Sequence, residues 1–143
     1  MKVLVDTNVI VDVLQRREPM FFFGQEIFRA VASKQIEGFI TTKQAADIHF
    51  FARKQFKGQT DVDAKARDVM GRLFSLFGLV DTLGIDCQAA LHIRNNDYED
   101  AMMIAGALRF GVDCIVTRDA KHFRNILLPV YAPDEFAGRF LRQ

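Results

Sequence analysis

Short apolar runs alternate along this chain with longer stretches of helical spacing, and no other feature constrains the fold as strongly. Residues 2–5 (KVLV), 39–42 (FITT), 79–83 (LVDTL), 113–119 (DCIVTRD) and 129–132 (PVYA) read as strands. Residues 7–17, 24–38, 43–56, 62–78, 85–96 and 97–111 read as helices, and a last helix starts at Pro133. Pro19 and Gly24 are expected to break the chain between the first two helices, and Thr7 or Asn8 to cap the first. The strands are apolar almost without interruption. That pattern belongs to a parallel sheet covered on both faces, because an open face would show alternation. The expected fold is therefore a three-layer α/β/α sandwich. The 143 residues show no repeat, linker or low-complexity stretch, so residues 1–143 are expected to form a single domain.

Composition narrows the class. Half of the residues are hydrophobic and the formal net charge is +1, so charge alone does not announce a nucleic-acid partner. The two cysteines, Cys87 and Cys114, lack metal-ligand spacing, and Cys114 sits in an apolar run as a buried thiol would. A reduced, cytoplasmic protein is expected. Asp6 interrupts the first apolar run, which does not fit a signal peptide, and no run is long enough to cross a bilayer. The Phe cluster at 21–23 suits a core or a protein contact.

Two of the strands end on acids. KVLV runs into Asp6, and CIVTRD places Thr117 and Asp119 after its apolar run. In open α/β sheets ligands gather at the carboxyl ends of the strands, so a parallel sheet delivers both acids to one edge. Asp100 is a third candidate. Asp97 reads as the cap of its helix, but Asp100 shares a face with Ile104, Ala107 and Leu108, where an unpaired acid is costly. Glu99 is expected to face solvent. Asp47, beside the apolar stripe of its helix, reads on its own as a boundary residue. Asp12 reads as half of a solvated pair with Arg16, four residues on.

Carboxylates gathered at one point repel unless protons or a cation intervene. Oxygen-only ligands select Mg²⁺ or Mn²⁺ over zinc. The chemistry that follows is metal-assisted cleavage of a phosphodiester by an activated water. No protein nucleophile presents itself. Of His49, His92 and His122, His122 is the most interesting because it follows Asp119 by three residues.

The segments MKVLVDTNVIVDVL, TKQAADIHFFARK, DYEDAMMIAGALRFGVDCIVTRDAKHF and PVYAPDEF, in that order, resemble the PIN-domain nucleases, many of which are toxin ribonucleases of toxin–antitoxin pairs. The resemblance covers nearly the whole chain. It implies a four- to five-stranded parallel sheet and a divalent-metal site of Asp6, Asp47, Asp100 and Asp119, with Asp6, Asp100 and Asp119 as the metal ligands. Thr7, Asn8 and Thr117 match positions that support such a site. The family commonly has Glu where Asp47 stands, and often another acid where this chain has Lys121 and His122. Also implied are Mg²⁺ or Mn²⁺ as cofactor, an RNA substrate, an antitoxin that plugs the site, and a homodimer. Lys43, Arg118 and Lys121 are candidate contacts for RNA phosphates, with Arg53, Lys54 and Arg124 further out.

The favoured reading is thus a metal-dependent endoribonuclease of the toxin type. One competitor is a weak or inactive PIN-like domain that binds RNA or protein; the intact Asp6, Asp100 and Asp119 set weighs against it. Another is a phosphoryl-accepting domain. Dehalogenase-like phosphatases carry DxDxT after the first strand, whereas DTNVI lacks the second acid. Receiver domains end a middle strand on a phosphorylated Asp, and GFITT does not.

Overall fold

The computed structural model describes residues 1–123 and 126–142. Among the described residues five strands are formed: β1 (Lys2–Val5), β2 (Glu37–Thr41), β3 (Gly78–Val80), β4 (Cys114–Val116) and β5 (Val130–Tyr131). They make one sheet in the order β3-β2-β1-β4-β5, with every pairing parallel. The expected sheet is present, and β1 lies at its centre. Its neighbours β2 and β4 come from well-separated parts of the chain, with Leu4 in register with Phe39 on one side and Ile115 on the other.

The α-helices of the described residues are α1 (Thr7–Leu14), α2 (Met20–Ala32), α3 (Thr42–Gln55), α4 (Val62–Leu76), α5 (Gly84–Ala90), α6 (Tyr98–Phe110) and α7 (Pro133–Phe136), the last running into a wider turn over Ala137–Leu141. Side chains alternate across the sheet. Val3, Val5, Cys114 and Val116 face a core built with Val9, Ile10, Ile27, Ile48, Leu73 and Phe136. Leu4 and Ile115 face the other way, onto Met103, Ile104, Ala107 and Phe123. Two separate cores on a single sheet are what three layers require, since strands apolar on both faces need cover on both. On the second face a buried carboxylate, Asp86 of α5, is clipped by Arg109 of α6 at 2.9 Å.

Some boundaries differ from the sequence expectation. α2 starts at Met20, not 24, and takes in the three phenylalanines. Gly24 is a helix-crossing point, not a break: a Cβ there would meet Val13 Cγ2 at 2.6 Å, so its bare backbone lets α2 lie against α1. α2 ends at Ala32, and β2 takes up residues from 37. α1 stops at Leu14 and α5 at Ala90, each shorter than the spacing implied. Phe22 remains half-exposed, with the guanidinium of Arg142 lying over both Phe22 and Phe23. Cys114 is buried as expected, and burial pushes its thiol up to about 12, which makes it inert. No helix among the described residues is long and apolar enough to cross a membrane.

Candidate functional site

At the carboxyl edge of the sheet, β1 gives way directly to α1 through Asp6. The Asp6 N–H still belongs to the sheet and donates to the Val116 carbonyl at 2.9 Å. Its backbone is extended (φ −66°, ψ 152°), the conformation of a residue that caps a helix. Asp6, not Thr7 or Asn8, is the cap, which corrects the sequence reading. Its two oxygens take different partners. Oδ1 accepts the Thr7 N–H at 2.7 Å, and Oδ2 accepts the Thr117 hydroxyl at 2.7 Å.

Thr117 is fully buried just past β4. Besides donating to Asp6, its oxygen accepts the Asp119 N–H at 3.1 Å. Asn8, in the first turn of α1, grips the same turn. Its Nδ2 donates to Asp119 Oδ2 at 3.3 Å and to Thr117 Oγ1 at 3.4 Å, and its Oδ1 accepts the Arg118 N–H at 3.3 Å. The uncharged residues thus fix the relation between the two acids that end β1 and β4. Burial raises the Asp6 carboxyl above the usual range. The bonds from Thr117 and Thr7 oppose that shift, and the charges of Asp119 and Asp97 add to it.

The first turn of α6 supplies the opposite wall. Asp97 caps it as expected, with Oδ1 accepting the N–H groups of Glu99 (2.8 Å) and Asp100 (3.2 Å). Asp100 stands at the rim, pushed up to about 7 by burial and then by the charges of Asp6, Asp97, Asp119 and Glu99. Two adjoining hollows share Asp6, Thr7, Phe51 and Asp100. One also holds Asn8, Asp97, Arg118 and Asp119, and the other Lys43, Asp47 and Glu99. All four acids singled out in the sequence therefore border one continuous depression.

Asp47 is there on different terms. Lys43 Nζ lies 2.5 Å from Asp47 Oδ2 and 3.1 Å from Glu99 Oε1, bridging α3 and α6. Burial alone would lower the Lys43 pKa, but its bonds to Asp47 and Glu99 outweigh this and raise it. Glu99 is exposed, yet it answers Lys43 across the cleft and does not simply face solvent.

A family model described as PIN domain matches residues 2–121. The chain belongs to the PIN-domain family. This PIN domain shares its fold with several solved structures. FitAcB from Neisseria gonorrhoeae is 18% identical, with 92% of this chain and 97% of that one covered and a TM-score of 0.68. A toxin–antitoxin complex from Klebsiella pneumoniae is 19% identical, with 92% and 97% covered and a TM-score of 0.66. VapC20 from Mycobacterium tuberculosis, described as a Sarcin-Ricin loop cleaving toxin, is 15% identical, with 79% and 86% covered and a TM-score of 0.58. At these identities the likeness is one of fold. No curated protein sequence matches the chain.

In this PIN domain three groups at the edge escaped the sequence reading. Gln44 is buried and closes a capping box with Thr41: its N–H donates to Thr41 Oγ1 at 3.1 Å, and its Oε1 accepts the Thr41 N–H at 2.8 Å. Its Nε2 donates to the Val5 carbonyl at 2.8 Å and to Thr7 Oγ1 at 3.4 Å, fastening α3 to the end of β1. The T-x-x-Q spacing at 41–44 was the available signal. Asp97 was seen as a cap but not as a wall of the cleft. Asp12 is almost wholly buried and pairs with Arg118 Nε at 2.8 Å, so the solvated pair with Arg16 is not formed. Arg16 lies beyond the end of α1 at φ +51°, where the chain turns out of the helix.

Of the basic candidates, Lys43 and Arg118 border the cleft, and each is held by acids. Lys121 is exposed in the 3₁₀ turn Ala120–His122 and lines neither hollow. His122 contacts its surroundings through its backbone, accepting from Asn95 Nδ2 and donating to the Asp119 carbonyl. Arg53 pairs with Asp63, and Lys54 lies over the Phe50 ring. Arg124 falls outside the described residues.

The donor chemistry suits a hard divalent cation. Asp6, Asp100 and Asp119 present oxygen only, and the charges of Asp6 and Asp119 add to burial in raising Asp100, a repulsion that a cation would relieve. Among the described residues no three acids close on one point as a ready-made cage. Mg²⁺ does not need one, because it keeps several waters and takes one or two carboxylates together with phosphate oxygens.

Proposed function

We infer that this PIN domain is a Mg²⁺- or Mn²⁺-dependent endoribonuclease and the toxin of a toxin–antitoxin pair. The observation that carries the reading is the meeting of Asp6, Asp100 and Asp119 at one cleft, with Asp100 raised to about 7 by burial and then by the neighbouring acids. Asp6, Asp100 and Asp119 would hold the cation, which supplies charge neutralisation at the phosphate and a more acidic water.

The chain's own groups do the rest. Thr117 and Asn8 aim Asp6 and Asp119 at the same space. Arg118 offers positive charge to the phosphate beside it. Lys43 holds Asp47 and Glu99 together at the far end, where Asp47 reaches the cleft without adding to its uncompensated charge. That clamp is the one observation favouring the competing reading of a weak or inactive binding domain, since it occupies the fourth acid.

The toxin–antitoxin complex from Klebsiella pneumoniae among the structural neighbours supports an antitoxin as partner. The neighbour described as cleaving the Sarcin-Ricin loop supports RNA as substrate. A homodimer in the cytoplasm completes the proposal. The test is cleavage of RNA in Mg²⁺ or Mn²⁺, with chelator and Asp6→Asn as controls. Equal cleavage by Asp6→Asn would mean a contaminating nuclease and would remove the support for the reading.

A further inference from the structure

α1 buries Val9, Ile10, Val11 and Asp12 in succession. Three of these are core residues; the fourth is a carboxylate with 1% of its surface exposed. Its counter-charge is Arg118 Nε at 2.8 Å, yet neither Asp12 oxygen receives an aligned hydrogen bond among the described residues. A buried acid held in this way is a poor stabilising device, because an apolar side chain of similar size commonly does as well or better. Its presence calls for a role that an apolar side chain would not fill.

The geometry supplies one. Asn8 and Asp12 stand four apart on α1 and so share a face. Asn8 accepts the backbone N–H of Arg118, and Asp12 meets its side chain. Arg118 itself lies between Thr117 and Asp119 and lines the hollow with Asp6, Asp97 and Asp100. Its side chain keeps 38% of its surface exposed, and among the described residues its Nη1 and Nη2 have no hydrogen-bond partner. Without an anchor on its inner side, a guanidinium among acids would turn onto Asp119, Asp97 or Asp100.

We propose that Asp12 is a positioning residue that holds Arg118 by Nε, keeping its two terminal nitrogens off the acid cluster and available to an RNA phosphate. Arginine suits such a division because its planar fork serves two anions at once, whereas a lysine ammonium is a single point charge. The proposal rests on the nuclease reading for the identity of the substrate.

The test uses the full chain as wild type, Asp12→Asn, Arg118→Gln, Arg118→Lys and the Asp12→Asn/Arg118→Gln double variant. Binding of a labelled single-stranded RNA is measured in Ca²⁺ across a salt series, and its cleavage in Mn²⁺; thermal unfolding reports on the fold. Asp12→Asn and Arg118→Gln should each weaken binding about tenfold and flatten the salt dependence by about one phosphate contact. The double variant should bind no worse than Arg118→Gln, because Asp12 acts through Arg118. Should Asp12→Asn fail to fold, Arg118→Lys decides: it keeps the charge but not the fork and should still lose most of the binding. A wild-type salt slope in Asp12→Asn, additive losses in the double variant, or wild-type binding by Arg118→Lys would each overturn the proposal. If wild type binds RNA without cutting it, the nuclease reading falls and the binding pattern still decides Asp12. If wild type cuts and Asp12→Asn binds and cuts equally well, the proposal falls and the nuclease reading stands. If wild type neither binds nor cuts, both fall.

Discussion

The two ends of the acidic cleft handle charge in opposite ways. At the Asp6–Asp119 end the acids are oriented by uncharged donors, Thr117 and Asn8, which fix geometry and leave the charge in place. At the Asp47–Glu99 end a single lysine lies between two carboxylates and cancels much of their field. A neutral donor aims a ligand and a cationic one competes with its metal. On this difference the proposed cation is assigned to the first end, and the second is a clasp between α3 and α6.

The largest expected effects come from removing charge at the first end. Asp6→Asn and Asp100→Asn should reduce cleavage to background while the fold survives, as checked by activity assay and circular dichroism. If either variant cuts RNA at the wild-type rate, the first end is not the reactive one. Next is Thr117→Val, which keeps the shape and removes the hydroxyl. Losing an orienting partner of this kind typically costs about 10- to 100-fold in metal affinity, measurable by calorimetry with Mn²⁺.

A smaller effect concerns pH. The folded Asp100 holds its proton up to about 7, while the unfolded chain loses it near 3.8. Between those values the folded state binds more protons, so the metal-free protein should lose stability as pH rises through that window and level off above it. Mg²⁺ should restore the loss at neutral pH. Asp100→Asn should flatten the slope, and melts across a pH series would show whether it does. Smallest of all is Lys43→Met at the second end. Its partners are partly exposed, so stability should fall by no more than about 1 kcal/mol, while Mg²⁺ should bind more tightly as Asp47 and Glu99 regain their field. Weaker Mg²⁺ binding in that variant would erase the distinction between the two ends.

What could be read from the sequence was whatever nearest neighbours along the chain decide. The five strands showed as apolar runs, and α6 showed by its periodicity, its Asp97 cap and its Gly111 stop. Asp6 and Asp119 were legible as a pair because strand ends in a parallel sheet share an edge. Asp12 was not, because its partner Arg118 arrives from the other end of the chain and a nearer arginine offered a simpler account. Lys43 and Glu99 failed to announce their contact for the same reason. The start of α2 was misplaced because Gly24 reads locally as a breaker, and its packing against Val13 is known only once α1 and α2 are laid together.

The place of β4 beside β1 has a consequence for the birth of the protein. Asp6 is made well before the strand that carries Thr117 and Asp119 to its side, which is synthesised only after Asp113. Parallel pairing across such a separation forms late, since the loop must close before the contact is rewarded. A ribosome that has made β1 but not β4 therefore carries a chain with half of the acidic cleft. The fold itself delays the appearance of the acidic cleft until β4 has been translated and has paired with β1.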